Sequence, residues 1–92
     1  MGKGKIMSEV EKLILENGYE DAVYFDNFDY PETIVGFTDD GRVVYDYEKM
    51  VEAFVIHEKW TTEEAMEWID YNMIRSLPYV ENAPIIMFPI CQ

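Results

Sequence analysis

Apolar side chains recur along this chain at helical spacing in three places and at strand-like density in four others, and acidic residues are frequent between them. The clearest segment is Thr61 to Leu77, TTEEAMEWIDYNMIRSL. Thr61 with Glu64 matches the capping box, in which a hydroxyl and a carboxylate three residues on satisfy the free amides of a first helical turn. Leu77 precedes Pro78, and a residue before proline is pushed out of the helical region, so the pattern predicts closure there. At about 100° per residue, Ala65, Met66, Ile69, Met73 and Leu77 share one side of the helix while Glu63, Glu64, Glu67 and Asp70 share another. That is a core-facing helix with an anionic back. Between the two sides lie Trp68, Tyr71, Asn72 and Arg75. Tyr71 and Arg75 are four apart and can stack, and this edge is expected to clasp the segment from Tyr79 to Met87. Ile74 projects within the acidic face on the same wheel, an exposed apolar residue of the kind that marks an interface.

The other elements are read the same way. From Ser8 to Asn17, Val10, Leu13 and Ile14 repeat on one face, Ser8 can cap the start, and Gly18 can take the left-handed position after the end. In Tyr19 to Tyr30, β-formers at Ala22 to Phe25 predict a strand followed by a loop that ends at Pro31. Thr33 to Tyr45, TIVGFTDDGRVVY, places two β-rich runs around Asp39-Asp40-Gly41, a hairpin signal because the glycine accepts positive φ. Gly36 inside the first run marks either a bulge or a close approach of the third helix. Asp46 can cap a second helix from Tyr47 to about Lys59, burying Tyr47, Met50, Val51, Phe54 and Val55. Ile85 to Phe88, between Pro84 and Pro89, reads as a brief strand suited to a sheet edge. The order α, β, β, β, α, α, β predicts an α+β domain. Its sheet is expected to be small and mainly antiparallel, the hairpin 33–45 plus one or two short strands, with three helices packed on it.

Composition changes this picture little; charge changes it more. Ninety-two residues make one domain, with residues 1–7 expected as a frayed tail and Met7 as a second candidate initiator. The opening MGKGKIM carries lysines without an apolar secretory core, and Ile6 stands where a myristoylation motif wants serine or threonine. No apolar run approaches the roughly 20 residues that span a bilayer. The lone Cys91 leaves no partner for a disulfide and no cysteine cluster for a metal, which makes the reducing cytoplasm the default location. Nineteen acidic residues against seven basic ones give a formal charge of −12. Nucleic acid and anionic membrane are repelled by such a chain at long range, so a basic protein surface is the natural partner.

Candidate chemistry is thin. The acids of DNFDYPE and TDDGRV lack the alternation, glycine and distant glutamate of a calcium loop, so no metal is expected. Ser8, Ser76 and Cys91 have no local nucleophile signature, and the sole histidine, His57, is expected in solvent near a helix end, where the dipole favours a cation. No glycine-rich loop offers a phosphate cradle, and no cofactor is expected. The reading is of a protein without catalytic activity. More informative is the run from Glu16 to Glu48, with ten acids against one base, Arg42. Carboxylates at that density along a hairpin and loops can stand in for the phosphates of DNA before a basic groove, where the plain alternative is a solubilising surface. The residues expected to bind such a partner are Asp26, Asp29, Glu32, Asp39, Asp40, Asp46, Glu48, Glu63, Glu67 and Asp70.

The segment EEAMEWIDYNMIRSLPYVENAPIIM, with GRVVYDYEKMVE before it, resembles a group of small acidic proteins of gut bacteria and their phages or mobile elements. The likeness covers about the last half of the chain, and it assigns no activity and no residue. By size and charge the chain is also similar to anti-CRISPR and other phage-encoded inhibitors. The expectation that follows is a small acidic binding protein that occupies a basic surface of a nuclease or another nucleic-acid-handling protein. Its rival is an accessory domain that self-associates, as a homodimer, through the apolar C-terminal strand.

Overall fold

The computed structural model describes residues 8–90; the expected N-terminal tail and Cys91 lie outside the described residues. The chain runs through helix α1 (Glu9–Glu16), a 3-10 turn (Pro31–Thr33), strands β1 (Ile34–Phe37) and β2 (Val43–Asp46), helices α2 (Tyr47–Glu58) and α3 (Thr62–Asn72), a longer 3-10 segment (Ile74–Tyr79) and strand β3 (Ile85–Met87). The described residues form an α+β fold with three helices and one three-stranded sheet.

Each helix starts where a cap satisfies its first amides. Ser8 Oγ accepts from the Glu11 amide and Glu11 returns the bond to the Ser8 amide, a full capping box. Thr61 and Glu64 form the second box, at 3.1 and 2.9 Å. Asp46 caps α2 through the Lys49 amide at 3.1 Å. Helix α1 ends before Gly18, which takes the positive φ expected of it. Helix α2 ends on Lys59 at φ 62°, a left-handed position that a lysine fills at some cost.

Strands β1 and β2 form the predicted antiparallel hairpin, with Gly41 at φ +83° in its turn. Ile34 faces Tyr45 and Gly36 faces Val44, so Val35 is the extra residue of a β-bulge. Space beside Gly36 is open, which decides between the two readings of that glycine in favour of the bulge. Strand β3 takes the edge beside β2, but it runs parallel to it, so the sheet is mixed. The reason is the connection: α2 and α3 lie between β2 and β3 and form the crossover that a parallel pair requires.

One core joins all these parts. Val10 and Ile14 of α1, Phe28, Val43 and Tyr45, Met50, Ala53 and Phe54 of α2, and Ala65, Ile69 and Met73 from α3 and its end are buried together. Three expectations for α3 are corrected. Met66 is exposed, because the helix turns its Ala65, Ile69 and Met73 row inward with Trp68 half-buried beside it. The α-helix also ends at Asn72 rather than Leu77, and the chain continues in 3-10 geometry through Pro78. Asn72 Nδ2 donates to the Trp68 carbonyl, and the Met73 carbonyl accepts both the amide and the Oγ of Ser76, so side chains add to the backbone bonds at the helix end. Ile74, expected in the acidic face, packs half-buried against the core, because the change of geometry after Asn72 rotates it inward.

The segment Ala22 to Phe25, expected as a strand, forms no regular element and pairs with no strand. Its Phe25 amide donates to the hydroxyl of Tyr45 at 3.2 Å, a side-chain partner in place of a ladder. The aromatics that resemble a strand are there for the core: Phe25 and Phe28 both pack against the Tyr45 ring.

Candidate functional site

The hairpin tip is held on three sides. The Thr38 amide donates to the Arg42 carbonyl and the Gly41 amide to the Thr38 carbonyl, while the Thr38 hydroxyl donates to Asp40 and accepts from the Arg42 amide. The Arg42 side chain reaches away from the turn, its Nε donating to the Ala83 carbonyl at 2.7 Å. From below, Tyr19 stacks on Phe37 with ring centroids 4.2 Å apart and lies against Gly41. That stack carries the residues after Tyr19 to the turn. Glu20, Asp21 and Asp40 consequently line one hollow of about 350 Å3 with Arg42 and Asn82. Asp39 stands exposed on the same turn.

Glu20 and Asp21 are absent from the expected partner-binding set, although they belong to its acidic run. Nothing local joins them to Asp40; the only signal is Tyr19, an aromatic placed to meet Phe37. The other expected residues scatter. Asp26 is exposed in the loop. Asp29 is exposed, yet its carboxylate accepts from the Val10 amide at 2.9 Å and the Glu9 amide at 3.4 Å, so it also secures the start of α1. Glu32 pairs with His57, whose ring stacks on Tyr30 at 4.8 Å. Glu48 shares a hollow with Lys49 and Glu52. Glu63 and Glu67 share another with Glu64, and Asp70 meets Arg75. Asp46 lines the Glu48 hollow but is only 8% exposed, its carboxylate accepting from the Lys49 amide as the cap of α2. The hairpin acids and the α3 acids thus lie in separate hollows.

The acidity itself is almost wholly at the surface. Of the nineteen carboxylates, only the half-buried Glu11 and the buried Asp46 are not exposed. Among the described residues, lysine or arginine ion pairs engage only Glu9 and Asp70. The local field is felt by nearby phenols. Tyr24 is raised above its ordinary value by burial first and then by Glu11, Asp26 and Asp29. Tyr30 is pushed up to about 12, chiefly because its hydroxyl donates to Glu58 at 2.7 Å.

The edge of α3 expected to clasp the C-terminal segment does something else. Trp68 turns toward Phe54 and Trp60. The indoles of Trp60 and Trp68 stand 6.1 Å apart at 54°, and with Tyr71, Glu64, Glu67 and Asn72 they line an open cleft of about 400 Å3. Trp60 is the partner that sequence reasoning misses: it lies in the turn between α2 and α3, where no helical spacing relates it to Trp68. The predicted stack of Arg75 on Tyr71 is present, with the guanidinium carbon 4.2 Å from the ring centroid. The C-terminal segment instead meets α2, through Phe88 stacked on Tyr47 at 4.6 Å.

No protein-family model, curated protein or solved structure matches this chain. Among the described residues, no group of three or more histidine, cysteine, aspartate or glutamate side chains is arranged to hold a metal ion, and no helix is long and apolar enough to cross a membrane.

Proposed function

We propose that this chain is a non-catalytic binding protein that occupies a basic surface of a nucleic-acid-handling protein, with its carboxylates in the place of phosphates. The observation that carries the reading is the exposed acidity: all carboxylates but two are exposed, and among the described residues few meet a cation. A solubilising surface needs charge but no focus, whereas Glu20, Asp21, Asp39 and Asp40 gather around one rigid turn. A phage-encoded inhibitor acts in this way. Asp46 has no part in it, and Asp29 contributes charge only while also holding α1.

The test is retention of host proteins on the immobilised chain, followed by elution with duplex DNA or with sodium chloride. Retained basic partners are expected to leave with either, because DNA competes for the same groove and salt screens the contact. A variant carrying Glu20→Lys, Asp21→Lys and Asp39→Lys, which spares every cap, is expected to retain none of them. Partners that resist both eluants, or that bind the reversed variant equally well, would sink the proposal. A second reading, self-association, draws on a different observation: Phe88 and Ile90 are exposed, and Phe88 lines an apolar hollow with Tyr47, Val51 and Met66. Light scattering decides it, a dimer lost on deleting residues 84–92 being the outcome in its favour.

A further inference from the structure

We infer that the cleft between Trp60, Trp68 and Tyr71 anchors an arginine side chain of the basic partner. The inference rests on the reading above, of an acidic protein that covers a basic surface, and adds where one cation is held and by what chemistry. Glu64, Glu67, Trp68, Tyr71 and Asn72 recur at the three- and four-residue spacing of a single helical face, beside the Ala65, Ile69 and Met73 row that enters the core. Helix α3 therefore has two working faces: one enters the core, and the other lines the cleft opposite Trp60.

The walls of the cleft are set in advance. Phe54, itself buried, stacks on Trp60 at 4.7 Å and 9° and meets Trp68 at 5.2 Å, so both indoles are backed by the core. At 54° and 6.1 Å the indoles form an open corner with no room for a guest sandwiched between them. A flat group can lie on one wall with its edge toward the rim. At the rim stand acceptors. Glu64 already receives the Thr61 amide, and Asn72 already donates to the Trp68 carbonyl, but the Glu67 carboxylate has no hydrogen bond or ion pair among the described residues.

Rings that offer their π faces to a cation, beside carboxylates that need N–H donors, select among guests. A neutral apolar group would use the rings and leave two carboxylates facing it. A quaternary ammonium would use the rings and the charge but bring no donor. A lysine ammonium brings donors but is compact and strongly hydrated. The guanidinium is flat, weakly hydrated and carries five N–H groups, and so meets every requirement at once. The chain makes the same combination in miniature next door, where Arg75 lies over Tyr71 while its Nε stands 3.7 Å from Asp70. Arg75 does not line the cleft.

Trp60 and Trp68 are the only tryptophans of the chain, so their indole N–H signals and fluorescence report on this cleft alone. The intact protein is titrated at low salt with N-acetylarginine amide, its neutral isostere N-acetylcitrulline amide, and N-acetyllysine amide in which only the α-amine is acetylated. Arginine is expected to shift both indole signals saturably, with lysine about threefold weaker and citrulline about tenfold weaker. Glu67→Gln and Tyr71→Leu change exposed side chains, and each is expected to weaken arginine about three- to fivefold with an unchanged circular dichroism spectrum. Glu16→Gln, on α1 and outside the cleft, is expected to leave the affinity as it is. Equal binding of citrulline and arginine, indole signals that do not saturate, or equal losses in Glu67→Gln and Glu16→Gln would overturn the inference. The two proposals fail separately. Arginine binding without partners that DNA displaces would sink the inhibitor reading alone, and DNA-displaced partners without indole shifts would sink the arginine cleft alone.

Discussion

Tyr45 condenses the protein's problem into one residue: a polar group fully buried in a core too small to spare the space. Its ring touches those of Phe25 and Phe28, and its hydroxyl accepts the amide of a segment that has no strand to pair with. Burial pushes its pKa up to about 12 from 10.0, because the phenolate has no water there. The neutral form is thus favoured in the folded state, stability is unaffected below pH 10, and it falls as the pH rises from 10 toward 12. At pH 11 the loss amounts to about 1.4 kcal/mol, read as a drop in urea unfolding free energy relative to pH 9. Tyr45→Phe should cost about 1 kcal/mol at pH 7, through the unpaired Phe25 amide, yet lose less than the parent between pH 9 and pH 11. Equal alkaline losses in both proteins would assign the effect to other groups. Tyr30, also raised to about 12, is half-buried with its hydroxyl at the surface on Glu58, where solvent screening makes its contribution smaller. The acidic residues teach the converse. Asp46 counts as surface charge in the sequence but is spent on a helix cap, and the sequence holds the signal for that, since a cap position and a partner contact compete for the same carboxylate.

Among the elements, the legible ones carry their own local reasons. Ser8, Asp46 and Thr61 begin helices because their side chains bond amides within three residues, and Gly41 turns the hairpin because its own φ allows it. What the sequence does not disclose depends on distant partners. Ala22 to Phe25 has the composition of a strand, but whether it pairs is settled by Tyr45, which takes its amide instead. The parallel sense of β3 follows from how two helices pack between the strands, and no pattern in Ile85 to Met87 contains it. The cleft is half legible for the same reason: α3 advertises Trp68 and Tyr71, and the turn that brings Trp60 opposite them does not. That turn is where the elements offer a test. Lys59 takes φ 62°, which glycine adopts without the clash a Cβ creates. Lys59→Gly should therefore raise stability by about 0.5–1 kcal/mol in urea unfolding, with the tryptophan emission unchanged because Trp60 keeps its place. A loss of stability would mean that the lysine stem packs on the turn and outweighs the backbone strain.

For the molecule as a whole, charge is the dominant fact, and it acts on folding and on binding with opposite signs. A net −12 on a body of 43 by 30 by 28 Å repels itself at every distance that counterions do not screen. At 0.01 M salt the screening length, about 30 Å, matches the size of the molecule, and at 0.15 M it falls to about 8 Å, less than the span of a helix. Sodium chloride should therefore stabilise this fold, by about 1 kcal/mol between those concentrations, which for a domain of this size raises the Tm by about 4–8 °C. The few surface ion pairs, such as Lys12 with Glu9, weaken in the same range but are each worth too little to reverse the sign. A complex with a basic partner responds the other way, since the attraction that forms it is screened by the same ions. Calorimetry of the free chain and a binding titration, run in one salt series, should show Tm and Kd rising together. If Tm is flat across the series, the carboxylates are too dispersed to build a field, and recruitment of a basic partner by charge loses its physical ground. If Tm rises while Kd stays constant, the field exists but the partner is held by other contacts, with the apolar hollow beside Phe88 the first place to probe.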